Sequence, residues 1–589
     1  MKAHTALLHG DGAFIVYTWE VQCMKKKAAP LLAVVVLVVV VAAIVCITNL
    51  VKKYTPTSEV MDGKEYFSLS SDDEAAIVIG RDVSSYKGMV SGDVCYVDFE
   101  AVKEQLNDRF YWDSEANLML YTTPTDIIEI PAGGQKYTAT GKTETVSYDI
   151  VKVDGTKTYL ALDFVQMYTN LEYELFHDPE RIVITNEWGE KTLATIRKNG
   201  KLRYQGGIKS PILRELQKNE VVTVLEPMED WTGVLTQDGY FGYIQNDRLV
   251  EERTETVERE FEEPEYTTVA KDYKINMVWH VISNTDANYN IIYDIASVKG
   301  VNTISPTWFS IVSNDGTLSS LADADYVDTA HRNDMEVWAL VDNFNTEVDT
   351  TAVLKSTESR TKIENTLIAS AIEYGFDGIN VDFENLPEEA ADGYIQFIRE
   401  LSVKCRKNGL VLSVDVPVPM SFNEHYNRAE LGTVCDYVIV MGYDEHYDGS
   451  EEAGSVASLS FENQGILDTR KDVPAEKLIS GIPFYTRLWN TKTNEDGTTT
   501  VTSEALGMDE GQQRLENNNV EAAWDETTGQ NYAQFEGDDG SLYQIWLEDD
   551  KSIEEKLTLV KDYGLAGVAG WRLGLESDSV WDIILKYVS

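Results

Sequence analysis

Asp377-Gly378-Ile379-Asn380-Val381-Asp382-Phe383-Glu384 alternates apolar and polar side chains with a period of two. As a strand it sets Ile379, Val381 and Phe383 on one face and Asn380, Asp382 and Glu384 on the other. The apolar face suits a cover of helices. The opposite face carries two carboxylates and an amide toward the interior of a sheet, where uncompensated charge is costly. Such a stretch is either the exposed end of an ordinary strand or a strand shaped for chemistry. Two acids at i and i+2 suit glycosidic cleavage, one handing over a proton and the other supporting charge that builds at the sugar.

Apolar strand-like runs flank this one at 275–282, 301–308, 335–341, 411–416, 437–443, 478–482 and 567–571, with 378–383 as the fourth of eight. Helical stretches such as 360–374 and 394–408 lie between them. Eight βα units predict an α/β fold, a (β/α)8 TIM barrel over 271–589, with its site at the C-terminal ends of the strands. Residues 490–541, rich in Asn, Asp, Thr and Gly, read as an insertion between the seventh and eighth strands.

The octapeptide resembles the Asp-x-x-Asp-x-Asp-x-Glu strand of glycoside hydrolase family 18, the chitinase-like enzymes. Asp377, Asp382 and Glu384 match, and Asn380 stands where the family usually has Asp. Met441-Gly442-Tyr443-Asp444, Gly481-Ile482-Pro483-Phe484-Tyr485 and Gly570-Trp571 match later family strands in the expected order. The resemblance implies retaining hydrolysis in which the substrate's own 2-acetamido oxygen attacks C1. It makes Glu384 the proton donor, with a pKa moved toward neutral by partial burial and by Asp382. It makes Asp382 the holder of the acetamido N–H, Tyr443 the partner of the acetamido oxygen and Trp571 the apolar floor. Asn380, Met441, Asp444 and Tyr485 join them as substrate-binding candidates, and Tyr485, Trp489 and Trp546 read as groove wall or as core. Asn380 cannot share a charge, so its amide is expected to donate to Asp382 and keep it ionised. The Asn form also resembles the branch of bacterial cortex- and wall-lytic N-acetylglucosaminidases, which points to peptidoglycan.

Acidic residues outnumber Lys and Arg 99 to 50, a formal charge of -49. That argues against nucleic acid and anionic membrane surfaces as partners. Residues 28–50 are almost wholly apolar, long enough to span a bilayer, and follow Lys25, Lys26 and Lys27. They read as a signal anchor, with 1–27 a cytoplasmic tail, 51–74 a tether and the remainder outside the cell; a cleaved signal peptide is the alternative. The first 23 residues, ahead of Met24, look like a mis-assigned upstream start. Five scattered cysteines suggest neither zinc nor a disulfide framework, and no metal or cofactor is expected.

Residues 75–185 contain short alternating strands and a weak internal echo, 110–113 with 118–120 against 175–178 with 182–184. They resemble the stalk domain named for the N-terminal domain of copper amine oxidases, with no plausible copper ligand cluster here. Residues 191–250, with a turn signal at Asp238-Gly239, resemble a bacterial SH3 domain in which Trp231, Tyr240 and Tyr243 are either a ligand face or core. Residues 251–270 read as an acidic linker or edge strand. Together these readings give a membrane-anchored enzyme acting on a cell-wall glycan built from N-acetylglucosamine. A chitinase on chito-oligosaccharides, and a glycan-binding protein that lost turnover, stand as alternatives.

Overall fold

The computed structural model of the chain describes residues 19–139, 141–494, 496–538 and 540–588. Residues 1–18 of the expected tail therefore lie outside the described residues. The chain divides into two compact units, residues 1–95 with 170–260 and residues 96–169 with 261–589.

The second unit holds the barrel. Its strands are β1 (Ile275–His280), β2 (Thr303–Ile311), β3 (Glu336–Asp342), β4 (Gly378–Asp382), β5 (Val411–Pro417), β6 (Tyr437–Met441), β7 (Leu478–Pro483) and β8 (Gly567–Trp571). Each pairs in parallel with the next, and β8 closes on β1. All eight fall on the runs read from the sequence. Alternation sorts their side chains into two cores. Met277, Trp279, Leu340, Ile439 and Ala569 fill the interior. Val278, Val337, Ile379, Val381 and Phe383 pack outward beneath the helices, as the period of two predicted.

Among those helices, α1 (Thr357–Tyr374) starts at Ser356, whose side chain accepts from the Ser359 N–H, and stops at Gly375 with φ of 80°. The next, α2 (Ala391–Asn408), ends in the same way at Gly409 with φ of 68°. Between β7 and β8 the chain builds a five-stranded antiparallel sheet from Tyr485–Thr493 to Leu542–Leu547, reaching past 490–541 at both ends.

Residues 96–169 contribute a five-stranded meander, Phe110–Asp113 through Lys142–Thr145, that grips the outer helices of the same unit. The Asp113 carboxylate accepts from the Thr357 N–H and hydroxyl at 2.9 and 2.6 Å. Arg109 pairs with Glu430 at 2.8 Å. The Arg360 guanidinium, wholly buried, lies 4.7 Å from the Tyr111 ring centre and binds Glu400.

In the first unit, Ala75–Ile79 runs parallel to Arg181–Thr185 and antiparallel to Asp82–Ser91. A seven-stranded antiparallel sheet follows, ordered from Ile212–Leu216 at one edge to Leu249–Val257 at the other. The acidic stretch after Leu249 is thus an edge strand before it becomes a connection. Asp238-Gly239 makes the turn between Trp231–Thr236 and Phe241–Gln245. Tyr240 belongs to the core, whereas Trp231 and Tyr243 are half-buried, and the Tyr243 hydroxyl donates to Glu226 at 2.6 Å.

The echoed segments are both hairpins, Phe110–Asp113 with Leu118–Thr122 and Glu172–Phe176 with Arg181–Thr185. Each follows a strand and a seven-residue helix. At the N-terminus, Trp19–Tyr54 is one helix, and its Leu31–Tyr54 part is long and apolar enough to cross a membrane. Length and composition fit a membrane anchor and a signal sequence alike.

Candidate active site

Gly378 opens β4 because nothing larger fits there: a Cβ would stand 2.7 Å from the Trp338 ring and 2.9 Å from the Val411 carbonyl. From that tight start, Asn380 and Asp382 turn into the barrel, and Glu384 follows just past the strand's end. The exit is clamped. Asn343 accepts from the Glu384 N–H at 2.8 Å and donates to its carbonyl at 3.0 Å. Tyr426 donates to the Phe383 carbonyl and His425 to that of Leu386.

The first acid of the octapeptide lies at the other end of the strand. Asp377 accepts from the Val337 N–H and pairs with His331, both at 2.8 Å, and so fixes the start of β3.

Glu384, Met441, Tyr443 and Asp444 line one cavity of about 650 Å³, whose wall also carries the exposed rings of Phe422 and Tyr447. Asp444 also borders a second cavity of about 320 Å³, together with Tyr485 and Trp571. Tyr485 donates to Asp444 at 2.5 Å and packs edge-on against Tyr443. The Trp571 ring meets that of Trp279 at 5.6 Å. Of the five residues expected at the mouth from β6, the β7 exit and β8, Met441, Tyr443 and Asp444 share a cavity with Glu384, whereas Tyr485 and Trp571 line the second cavity, which Asp444 also borders. Trp489 is not among them; it is buried and its indole N–H donates to the Gly454 carbonyl, which makes it core. Trp546 is half-buried against Tyr532.

The electrostatics are those of crowded acids. Burial pushes the Asp382 carboxyl well above the usual range, and Asp415, Glu384 and Asp342 add to it. Burial also raises Glu384, followed by the charges of Asp444 and Asp342. Asp415, on β5, is pushed up to about 8. Tyr443 rises as well, burial first and then Asp382 and Asp415.

One expectation is corrected. Asn380 does not donate to Asp382. Its amide nitrogen donates to Ser413 at 3.0 Å and to Asp415 at 2.8 Å, while its oxygen accepts from the Trp279 indole and the Ser305 hydroxyl. The side chain is fully buried and all its hydrogen-bonding positions are spent inside the protein, so it lies behind the mouth and does not hold Asp382 ionised.

Asp415, Asp342 and Asn343 were not anticipated from the sequence. For Asp415 the signal was present: in Val411-Leu412-Ser413-Val414-Asp415-Val416 the polar residues recur at every second position, as in β4. Asp342 and Asn343 straddle the end of an apolar strand, where polar residues are commonplace, and nothing local marks them.

Residues 270–576 match the family model for glycosyl hydrolases family 18. Over 298 residues the chain is 28% identical to the uncharacterized glycosylase YvbX of Bacillus subtilis (strain 168), spanning 49% of this chain and 84% of that protein. It is 26% identical over 227 residues to the cortical fragment-lytic enzyme of the same organism, spanning 37% of this chain and 52% of the enzyme. Among solved structures, the C-terminal domain of a proposed chitinase from Desulfitobacterium hafniense DCB-2 superposes with a TM-score of 0.50 at 20% identity, covering 54% of this chain and all of that domain. That likeness speaks to the fold. With the barrel and its acid-lined mouth in place, and with the family pattern matched over more than half its length, this chain belongs to glycosyl hydrolase family 18.

Proposed function

We propose that the protein is a membrane-anchored glycosidase that works outside the cell on glycans containing N-acetylglucosamine, peptidoglycan foremost, by substrate-assisted retaining hydrolysis. One observation carries the reading: Glu384, Tyr443, Met441 and Asp444 line a single cavity, and Asp382 ends β4 two residues before Glu384.

In this reading Glu384 protonates the departing glycosidic oxygen and later takes a proton from water. Its raised pKa suits the first task, because a donor must still hold its proton near neutrality. Asp382 accepts the acetamido N–H and steadies the positive charge of the oxazolinium-like intermediate. Tyr443 donates to the acetamido oxygen and so aims it at C1. Trp571 supplies the apolar face under the distorted ring. No enzyme nucleophile is required.

The choice of peptidoglycan draws on the similarity to a cortical fragment-lytic enzyme and on the apolar N-terminal helix, since a tethered enzyme reaches the adjacent wall more readily than a distant polymer. Residues 75–185 as a stalk and 191–250 as an SH3-like wall-binding module complete the proposal.

The test is digestion of purified sacculi and of chito-oligosaccharides by the full chain in detergent, with products read by mass spectrometry. The expected result is new N-acetylglucosamine reducing ends from sacculi, abolished by Glu384→Gln. Faster release from chito-oligosaccharides would reassign the substrate to chitin. No release from either glycan, with binding retained, would make the protein a lectin.

A further inference from the structure

The interior face of the barrel holds a second acid beside Asp382. The β4–β5 register pairs Asn380 with Ser413 and Val381 with Val414, so Asp382 and Asp415 stand side by side on adjacent strands, which run about 4.8 Å apart. Asp382 is 3% and Asp415 1% exposed. Asp415 Oδ1 accepts from Asn380 at 2.8 Å, which leaves Oδ2 as its free acceptor. That Oδ2, and Oδ1 of Asp382, are both buried without a hydrogen-bond partner. Two buried acceptors with nothing to accept are costly, and two adjacent buried anions more so. A single proton between them removes both costs, since one oxygen then donates and the other accepts.

We propose that Asp382 and Asp415 share one proton, and that Asp415 acts as the positioning residue that takes this proton when Asp382 engages the substrate's acetamido group. The second clause rests on the glycosidase reading above; the first does not.

The exchange balances without any co-reactant. In the free protein the O–H of one carboxyl donates to the carboxylate of the other. When an acetamido N–H donates to Asp382, the O–H bond resides on Asp415 and Asp382 carries the negative charge. The proton returns as the amide leaves. Asn380 takes part by holding Asp415 Oδ1, with Trp279 and Ser305 fixing the amide in turn.

The surroundings favour retention of the proton. Toward the pair stand Asp342 from β3, Glu384 beyond β4 and Tyr443 beyond β6. The acids acting on Asp382 are Asp415, Glu384 and Asp342, and each of them opposes its ionisation. Asp342 is the less suitable sharer, because it is only half-buried and its oxygens are not among the buried acceptors left without a partner, as Asp415 Oδ2 is.

The experiment is infrared spectroscopy of the full chain labelled with 13C-aspartate, which separates protonated aspartyl bands from those of buried glutamates. At neutral pH one protonated aspartyl band is expected. Asp382→Asn and Asp415→Asn should each shift its frequency, because the O–H then loses its carboxylate partner, and the double variant should remove it. A band whose frequency is unchanged in Asp415→Asn, two protonated aspartyl bands lost in the double variant, or no band in the unmutated protein would each overturn the proposal. Should Asp415→Asn fail to fold, titration of the unmutated chain decides: one band lost in a single one-proton step supports sharing, and two independent steps refute it. In glycan hydrolysis Asp415→Asn should lower kcat about 10-fold and leave KM within about 2-fold. A chain that cleaves no glycan would defeat the glycosidase reading and leave the spectroscopic result standing.

Discussion

Burial and two neighbouring acids raise the Glu384 carboxyl, and this gives the site a pH dependence that one substitution can move. A general acid works while protonated, so the alkaline limb of kcat/KM follows the Glu384 pKa in the free protein. Asp342→Asn removes one of the charges that raise it, while the amide oxygen can still accept from Ser310 and the Phe344 N–H. The pKa should fall and the alkaline limb move to lower pH, by up to about one unit. A limb that stays in place would separate Asp342 from the proton donor. Glu384→Gln should lower kcat about 100- to 10,000-fold. It should not destabilise the fold at neutral pH. A carboxyl whose pKa is raised by folding binds more protons folded than unfolded, so it costs stability as pH rises through that range. Replacing it with Gln removes that slope, which melting curves across the pH range would reveal.

At the scale of the strand, β4 was legible because an i, i+2 alternation reports which face a residue takes whenever one face is buried and the other polar. The same rule on β5 points to Asp415 just as directly, although a single acid in an otherwise apolar strand fits packing as well as chemistry. What the sequence could not reveal was hydrogen-bond partnership across strands. Asn380 engages Ser413 and Asp415 only because parallel pairing sets them beside it, and spacing along one strand carries no such information. Asn343 is similar, since its contacts with Glu384 join the ends of β3 and β4. Asn343→Ala should therefore release the Glu384 backbone, cost about 1–3 kcal/mol and lower kcat more than it raises KM. Equal losses in kcat and in binding would mean that the clamp serves the fold alone. Gly378→Ala tests the strand's other end. Its methyl would press on Trp338, which stacks on Tyr437, and should cost about 1–3 kcal/mol in thermal or urea melts. An unchanged midpoint would show that the Trp338 ring yields freely.

On the scale of the molecule, eight strands and their order were readable because each strand–helix repeat announces itself within some forty residues. The partnership of residues 96–169 with the barrel was not. It rests on single long-range contacts, such as Asp113 with Thr357 and Arg109 with Glu430, that leave no periodic trace. These contacts have an energetic consequence. The Arg360 guanidinium is buried against Glu400 and beneath the Tyr111 ring, and its cost of leaving water is offset only while that surrounding is complete. A chain beginning at residue 270, where the family match starts, would keep Glu400 but lose Tyr111, Asp113 and Arg109. It would strip the cap from Arg360, leave Thr357 without its carboxylate and deprive Glu430 of one of two arginines. Charge-assisted hydrogen bonds contribute about 1.5–3 kcal/mol each, so the isolated barrel should be less stable by at least about 3 kcal/mol than one that retains residues 96–169. Urea unfolding of the two, followed by tryptophan fluorescence, measures the difference. Coincident midpoints would show that the meander rests on the barrel without supporting it, and that the barrel's own two cores suffice.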